Sequence, residues 1–388
     1  MKKIKVMTIF GTRPEAIKMA PLVLELEKYP DQIISQVCVT AQHRQMLDQV
    51  LEIFRITPDF DLNIMASKQT LIHITTRALE GLNQVIGNEK PDIVLVHGDT
   101  TTTFVGSLAA FYNKVAIGHV EAGLRTFDKY FPFPEEMNRK LTGAMADLHF
   151  APTDTNKENL IRESIAPETI YTTGNTVIDA LKTTTCENYV FENEMLNEID
   201  FAKTRVLAVT AHRRENLGEP LENICTALRM ILETFEDTLI VYPVHLNPVV
   251  KETAENILGD HPRAKLIHPL SAQDMHNLIN RCYMVLTDSG GIQEEAPSFG
   301  KPVLVLRNET ERPEAITAGT VKLAGNETDV IFRLASELLN SKTEYAQMAQ
   351  AVNPYGDGLA SERIVKALLY HFGLSTERPE EFKAIQSK

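Results

Sequence analysis

Short apolar segments alternate with longer segments in which apolar positions recur every three or four residues. The short segments are typical of buried β-strands, and the longer ones are typical of amphipathic helices. In the first half the predicted strands are residues 4–10, 33–40, 93–97, 115–120 and 148–151. The predicted helices between them are residues 14–28, 44–54, 71–86, 102–112 and 135–145.

The second half repeats this alternation, with predicted strands at residues 206–210, 239–242, 265–267, 284–287 and 303–306. Each half therefore predicts a doubly wound parallel sheet. Residues 188–203 are polar and acid-rich, which favours an exposed loop or an irregular helical hairpin. Residues 361–372 have the pattern of an amphipathic helix. The sequence thus predicts an α/β fold with two Rossmann-like domains, which we expect to share one cleft at the strands' carboxyl ends.

Length and composition exclude several classes of protein. A chain of 388 residues exceeds the length that one hydrophobic core usually serves, so two domains are expected. The net charge of −13 argues against a nucleic-acid-binding protein. No apolar run is long enough to span a bilayer, and the four cysteines form no C-x-x-C pair. We therefore expect a cytoplasmic protein with reduced thiols and no structural metal.

A glycine turn after residues 284–287 has the pattern of a diphosphate-binding loop. Ser289, Gly290 and Gly291 would open a helix and present backbone N–H groups to a phosphate. Glu294 or Glu295, one turn later, would accept hydrogen bonds from ribose hydroxyls. The alternative is a tight strand-to-helix turn without a ligand.

Two loops carry an Arg-Pro-Glu sequence. The first places Arg13 at a predicted helix N-terminus, where a cation favours the helix only if an anion also binds there. Lys18 follows one turn later and is either a second phosphate ligand or a solvated lysine. Arg312 lies in the second loop. The first loop lacks G-x-G-x-x-G, so a dinucleotide cofactor is not expected.

Carboxylates follow the next predicted strands. Asp99 comes after residues 93–97, Glu121 after 115–120, and Glu135 opens the next helix together with Arg139. Carboxylates that converge on one site can supply an acid and a base near neutral pH. The alternatives are a helix cap at Asp99 and a surface ion pair between Glu135 and Arg139.

Histidines follow two strands of the second half. His212 is followed by two arginines, which would lower its pKa until a bound diphosphate reversed the effect. His245 also follows a strand, where it is either structural or functional.

In order and spacing, these motifs resemble the non-hydrolysing bacterial UDP-N-acetylglucosamine 2-epimerases over almost the whole chain. The matching segments are residues 11–15 (GTRPE), 42–45 (QHRQ), 97–99 (HGD), 119–123 (HVEAG), 134–136 (PEE), 174–176 (GNT), 210–214 (TAHRR) and 288–291 (DSGG).

The resemblance implies a GT-B-type fold, with residues 1–172 in one domain, 173–360 in the other, and the C-terminal helix 361–388 returning to the first. It also implies reversible conversion of UDP-GlcNAc to UDP-ManNAc without a cofactor. The proton at carbon 2 leaves as UDP departs from carbon 1, which gives a bound 2-acetamidoglucal. UDP then adds back after protonation on the other face. A homodimer that supplies ManNAc for cell-surface polysaccharide is expected.

Several roles follow from the resemblance alone. The expected catalytic residues are Asp99, Glu121, Glu135, His212, Lys18 and Arg139, with the carboxylate that acts on each face left open. The expected UDP-binding residues are Arg13, Ser289, Gly290, Gly291, Glu295, Met275 and Arg312. Some family members bind a second UDP-GlcNAc as an activator, and the matching residues are Gln42, His43, Gln45, Lys68, Glu135, Arg213 and His245. Lys68 replaces an expected arginine and Met275 an expected aromatic residue, which would weaken bidentate pairing and stacking on uracil.

Three other functions fit parts of the pattern. A GT-B glycosyltransferase would use the same diphosphate loop but would need an acceptor groove. A hydrolysing epimerase would release UDP and free ManNAc. A nucleotide-sugar sensor without catalysis would keep residues 289–291, yet would not need Asp99, Glu121, Glu135 and His212 together.

Overall fold

The computed structural model describes residues 3–42, 44–66, 70–310 and 312–384. The chain divides into two compact units. Unit 1 comprises the described residues of 1–183 and 355–383, and unit 2 comprises those of 184–354 together with Ala384. The divisions thus fall after residue 183 and before residue 355, whereas the sequence placed them after 172 and before 361.

Unit 1 contains a seven-stranded parallel sheet with the strand order β3-β2-β1-β4-β5-β6-β7. Its strands are β1 (Ile4–Phe10), β2 (Ile33–Val39), β3 (Phe60–Asp61), β4 (Ile93–His97), β5 (Ala116–Val120), β6 (Leu148–Ala151) and β7 (Ile170–Thr172). Its helices are α1 (Arg13–Leu26), α2 (Arg44–Phe54), α3 (Leu71–Glu89), α4 (Thr101–Tyr112), α5 (Glu135–Met145), α6 (Asp154–Arg162) and α7 (Thr176–Thr184), which ends at the boundary.

Unit 2 contains a six-stranded parallel sheet with the order β10-β9-β8-β11-β12-β13. Its helices begin with α8 (Glu194–Asn197), and its strands are β8 (Arg205–Thr210), β9 (Thr238–Pro243), β10 (Ala264–Ile267), β11 (Met284–Thr287), β12 (Val303–Val305) and β13 (Val321–Leu323). The other helices are α9 (Glu219–Thr234), α10 (Pro248–Leu258), α11 (Ala272–Arg281), α12 (Gly290–Glu295), α13 (Pro313–Ala318), α14 (Thr328–Asn340) and α15 (Lys342–Ala349). The final helix, α16 (Ala360–His371), belongs to unit 1.

The predicted doubly wound sheets are confirmed, and the packing of β1 shows the reason. Ile4, Val6 and Phe10 pack on one face of the sheet with residues of α1, α2 and α16. Met7 and Ile9 pack on the other face with residues of α3 and α4. Because both faces are covered by helices, the strand carries apolar residues on both faces and does not alternate between apolar and polar residues.

The acid-rich segment 188–203 is neither a free loop nor a helical hairpin. It contains the single short helix α8, and Phe191 and Leu196 are buried. The buried Asp274 carboxylate accepts hydrogen bonds from the backbone N–H groups of Glu192, at 3.0 Å, and Asn193, at 3.2 Å. The acidic composition of the segment gives no sign of these anchoring contacts, because they are made by Asp274, which is distant in sequence.

Candidate active site

Both sheets place polar loops at the point where the strand order reverses. In unit 1 the reversal lies between β1 and β4, which are followed by Arg13 and Asp99. In unit 2 it lies between β8 and β11, which are followed by His212 and Ser289. Ligands of open parallel sheets bind at such reversals, outside the carboxyl ends of the strands. Each unit therefore offers one candidate binding edge.

Glu121 is the centre of the polar cluster in unit 1. One of its oxygens, Oε2, contacts the ammonium of Lys18, accepts a hydrogen bond from Asn175 Nδ2 at 2.8 Å, and lies 3.6 Å from His97 Nε2. Burial opposes ionisation of the carboxyl group, but Lys18 and then His97 outweigh it and hold the pKa of Glu121 well below its usual range. Glu121 is therefore a carboxylate, with its oxygen Oε2 held in place.

Asp99 forms a second carboxylate–cation pair in the same unit. Its Oδ2 accepts a hydrogen bond from Arg139 Nη2 at 2.6 Å, and its backbone carbonyl accepts one from Asn138 Nδ2 at 2.8 Å. Arg139 also donates to the buried Glu136 at 3.2 Å. Burial opposes the charge of Arg139, but Asp99 and then Glu136 raise its pKa overall. The alternative of a surface ion pair between Glu135 and Arg139 is wrong, because Arg139 bonds to Asp99 and Glu136.

The turn before Asp99 is fixed by a neutral histidine. His119 Nε2 lies 2.7 Å from the carbonyl oxygen of Gly98. Burial lowers the pKa of His119 to about 3, so the ring is neutral, and it must donate from Nε2 because a carbonyl only accepts. Gly98 has φ +66°, a conformation that favours glycine. His119 thus holds the backbone from which Asp99 projects.

Arg13 is a half-buried cation without a protein partner among the described residues. It is the first residue of α1, and burial lowers its pKa. The preceding turn is rigid, because Glu15 Oε2 accepts from the N–H groups of Gly11 and Thr12 in the predicted capping box. A desolvated guanidinium at a helix N-terminus is suited to an anion such as a phosphate.

The glycine turn of unit 2 is built around Arg312. A methyl group at residue 290 would lie 2.6 Å from Arg312 Nη1, so a larger residue there would displace this guanidinium from its position. Arg312 Nε also donates to the buried Glu294 at 2.6 Å. The N–H of Ser289 bonds to Thr287 Oγ1 at 2.9 Å, so the hydroxyl of Ser289 is its better candidate group for a phosphate. Gly290 and Gly291 open the helix, where N–H groups have no intrahelical partner.

The two candidate ribose ligands occupy different surroundings. Glu294 is buried against Arg312, as described above. Glu295 Oε2 lies 3.5 Å from Nε2 of the buried His276, whose Nδ1 lies 2.7 Å from Thr184 Oγ1. Glu294 is thus engaged with an arginine, and Glu295 is the better candidate for ribose.

His212 lies at the end of β8 and is stacked on His245, with ring centroids 5.1 Å apart and planes 6° apart. Burial lowers the pKa of His212, Asp288 opposes this, and His245 and Arg213 add to the lowering. The predicted lowering of the His212 pKa is therefore correct, but its main cause is burial and not the neighbouring arginine. No described residue pairs with the guanidinium of Arg213. The backbone N–H of Arg213 donates to Asp288 Oδ2 at 2.7 Å.

Comparison with known proteins agrees with the motifs. The family model described as UDP-N-acetylglucosamine 2-epimerase matches residues 24–369. The UDP-N-acetylglucosamine 2-epimerase of Bacillus subtilis strain 168 is 60% identical over 382 residues, which are 98% of this chain and 99% of that protein.

The chain belongs to the UDP-N-acetylglucosamine 2-epimerase family.

Solved structures extend this similarity to the fold. A crystal structure of a UDP-N-acetylglucosamine 2-epimerase is 58% identical, with a TM-score of 0.91, and the match covers 99% of this chain and 100% of that one. The Neisseria meningitidis UDP-GlcNAc 2-epimerase, solved bound to UDP-GlcNAc, is 49% identical with a TM-score of 0.82. That match covers 94% of this chain and 100% of the other.

The remaining residues expected from the epimerase family lie on several different elements of the two units. Glu135 opens α5 half-buried, and no described residue bonds to its carboxylate. Gln45 is exposed on α2, and Met275 is half-buried on α11. Gln42 is half-buried, and its Oε1 has no hydrogen-bond partner in the described part of the chain. The predicted His43 and Lys68 lie outside the described residues.

Sequence reasoning assigned no role to three residues that contact this site. His97 and Asn175 reach Glu121, and His276 reaches Glu295. His97 could have been found, because it ends β4 and pairs in register with Val120, the neighbour of Glu121. No strand register links Asn175 to Glu121, because β7 and β5 are not neighbours in the sheet. His276 lies on a helix, so no strand register links it to Glu295 either.

Within the described ranges 3–42, 44–66, 70–310 and 312–384, no three His, Cys, Asp or Glu side chains are grouped to hold a metal ion. In these same ranges no helix is long and apolar enough to cross a bilayer.

Proposed function

We propose that this protein catalyses the reversible epimerisation of UDP-GlcNAc at carbon 2 to give UDP-ManNAc. The observation that carries this proposal is the pair of carboxylates Asp99 and Glu121, which follow adjacent strands and are each held by a cation. Family membership supplies the substrate, since the Neisseria meningitidis relative is bound to UDP-GlcNAc.

The carboxylates suit proton transfer at carbon 2, which is only feebly acidic. Removal of its proton is therefore coupled to cleavage of the bond between carbon 1 and the diphosphate oxygen, which keeps the bonding electrons. This elimination gives bound 2-acetamidoglucal as an intermediate. Carbon 2 is then protonated on the opposite face, and UDP adds back to carbon 1. Glu121, Asp99 and Glu135 are the candidates for these transfers, with Lys18 and Arg139 orienting the first two.

The cations suit the leaving group, on which negative charge grows as the bond breaks. Arg13 has no described protein partner, and Arg312 lies against the Gly290 turn. We propose that unit 2 holds the uridine diphosphate through Arg312, His212, the hydroxyl of Ser289 and the N–H groups of Gly290 and Gly291, with Glu295 on ribose and Met275 against uracil. In unit 1 we propose Arg13 as a phosphate ligand.

Proton NMR of UDP-GlcNAc incubated with the protein in D2O tests the proposal. UDP-ManNAc with deuterium at carbon 2 is the expected product. Stoichiometric free UDP and ManNAc would identify a hydrolysing enzyme instead. No change would favour a GT-B glycosyltransferase that needs an acceptor, or a nucleotide-sugar sensor without catalysis.

We further propose that a second UDP-GlcNAc activates the enzyme through Gln42, His43, Gln45, Lys68, Glu135, Arg213 and His245. The support in the structure is the buried, unbonded Oε1 of Gln42 and the Arg213 guanidinium without a described partner. With UDP-ManNAc as the only substrate, the progress curve should show a lag that a trace of UDP-GlcNAc removes. Arg213→Ala should lengthen the lag, and a wild-type curve without a lag would refute activation.

We also propose a cytoplasmic homodimer that supplies ManNAc units for cell-surface polysaccharide. A sedimentation equilibrium mass of two chains is expected, and a mass of one chain across the concentration range would contradict the dimer. Loss of ManNAc from the polysaccharide of a deletion strain would support the cellular role.

A further inference from the structure

The carboxylate of Asp288, at the carboxyl end of β11, is fully buried, and its two oxygens differ in their contacts. Oδ2 accepts three hydrogen bonds, from the backbone N–H groups of His212 and Arg213 at 2.7 Å each and from Asn216 Nδ2 at 3.1 Å. Oδ1 has no hydrogen-bond partner in the described part of the chain. A buried carboxylate oxygen without a partner is unfavourable, so its position calls for a second role.

The unbonded oxygen faces the imidazole of His212. The distance from Asp288 Oδ1 to His212 Nδ1 is 3.7 Å, somewhat longer than a hydrogen bond. The side chain of His212 is 40% exposed, and its ring stacks on His245. A small rotation would form an Nδ1–H···Oδ1 hydrogen bond and leave Nε2 as the other polar atom of the ring.

We propose that Asp288 is a positioning residue for His212: it accepts from Nδ1–H, so that Nε2 is directed at a bound diphosphate and the ring becomes an imidazolium there. The proposal rests on the proposed function and adds to it, because it explains how His212 gains a positive charge when the diphosphate binds. Asp288 is not a catalytic residue here, since it acts through His212.

The groups around His212 oppose its charge except for Asp288. Burial disfavours the imidazolium, and so do the stacked His245 and the neighbouring Arg213. Asp288 is the group in these surroundings that favours it. A bound diphosphate would add negative charge on the opposite side of the ring.

The contacts of Oδ2 give Asp288 a structural role that has to be separated from this one. In Asp288→Asn, the amide oxygen can still accept the three hydrogen bonds made to Oδ2. The amide nitrogen takes the place of Oδ1, is uncharged, and donates instead of accepting. The substitution therefore preserves the loop anchor and removes the attraction for the imidazolium.

Asp179→Asn is the matched control. Asp179 is also a buried aspartate, and it accepts from the backbone N–H groups of Ala360 at 3.2 Å and Ser361 at 2.8 Å. It lies in unit 1, on α7, whereas Asp288 and His212 lie in unit 2. A general effect of removing a buried anchoring charge should appear in both variants, whereas the positioning effect should appear only in Asp288→Asn.

The test is NMR titration of the histidine side chains, without and with UDP, using His212→Gln to assign the His212 signal. In Asp288→Asn the pKa of His212 should fall by about one unit or more, and in Asp179→Asn it should not change. An unchanged His212 pKa in Asp288→Asn would overturn the proposal. If that variant does not fold, the ¹⁵N shifts of the His212 ring in the wild-type protein still test the proposal. A neutral ring protonated only at Nε2 would contradict it, because Asp288 needs a proton on Nδ1.

Kinetics give a second readout. Asp288→Asn should lower kcat on the order of 10²-fold, and in a His212→Gln background it should cause little further loss, since the two residues act as a unit. Equal losses in both backgrounds would indicate an anchor only. An inactive wild-type protein would refute the proposed function, while the NMR titration would still decide the role of Asp288.

Discussion

The polar residues of unit 1 are arranged as separate carboxylate–cation pairs. Lys18 contacts Glu121, and Arg139 contacts Asp99. The sequence identified all four residues, because each lies at or near the start of a helix or directly after a strand. It did not identify which cation pairs with which carboxylate, because pairing depends on where the side chains lie in the folded sheet.

Lys18→Met should destabilise the protein at neutral pH by about 3 kcal/mol, because it leaves the Glu121 carboxylate buried without its cation. The pKa of Glu121 is lowered in the folded protein, so its pairing stabilises the fold above the unfolded pKa, and this contribution is lost as pH falls through the folded pKa. In the variant the pKa rises, and protonation relieves the unpaired charge at a higher pH. Urea unfolding followed by circular dichroism at several pH values measures both effects.

The control for Lys18→Met is the double variant Lys18→Met/Glu121→Gln, which removes both charges. It should be more stable at neutral pH than Lys18→Met alone. If the two variants are equally stable, the loss in Lys18→Met comes from packing and not from the unpaired charge.

Asp99→Asn should abolish epimerisation and spare UDP binding. The amide keeps the size of the side chain and can still accept from Arg139, but it cannot take up a proton from carbon 2. Turnover measured by NMR and UDP affinity measured by calorimetry separate these effects. Unchanged turnover would remove Asp99 from the catalytic set, and lost UDP affinity would show that the substitution disturbs more than proton transfer.

Helix starts and strand ends are the elements that hold the site. The capping box of α1 was predicted from the spacing of Thr12 and Glu15, and it is present. Glu15 Oε1 also accepts from Thr100 Oγ1 at 2.6 Å and Thr103 Oγ1 at 3.2 Å, which ties α1 to the start of α4. The capping box is local, so the sequence predicts it. The hydrogen bonds from Thr100 and Thr103 join residues that are far apart in the chain, so the sequence does not.

The turn after β5 depends on Gly123. Gly123 has φ +93°, and a methyl group there would lie 2.2 Å from the backbone oxygen of Asn156. Gly218 has a similar φ of +83° but nothing within 4 Å of the added carbon. Gly218→Ala should therefore cost only backbone strain, about 1–3 kcal/mol, and Gly123→Ala should cost more because it adds a clash to that strain.

Urea unfolding of the two glycine variants provides the comparison. Gly123→Ala should also lower turnover, because Glu121 lies two residues earlier, with φ +60°. Equal stability of the two variants would mean that the turn after β5 relaxes without cost.

Unit 1 is completed by the last helix of the chain. Ile364, Val365 and Leu368 of α16 are buried in the same core as α1 and β1. Asp179 accepts from the first N–H groups of α16. Unit 1 is thus made from two segments separated in sequence by unit 2, although each unit has its own sheet.

Removal of residues 355–388 should destabilise unit 1 and spare unit 2. The deletion exposes the apolar residues of β1 and α1 that α16 covers, and the cost scales with the area exposed. Hydrogen–deuterium exchange should show lost protection in β1 and α1 and retained protection in β8 and β11. Removal of residues 385–388 alone is the control and should change neither unit. Equal loss in both units would contradict this organisation.

The sequence by itself determined the α/β class, most strands and helices, and the loops that carry the chemical groups. It could do so because these features depend on residues that are close together in sequence: apolar runs for strands buried on both faces, periodicity for helices, and capping residues for helix starts. It missed β3, β7 and β13, which are edge strands of only two or three residues each.

Only the tertiary structure decided how the groups are paired. It brought Asn175 to Glu121, Asp288 to His212 and Arg312 to Gly290. These pairs join residues that follow different strands or lie in different loops, so no local pattern encodes them. The order of the strands in each sheet sets which loops are neighbours, and through them the charge of each carboxylate and histidine.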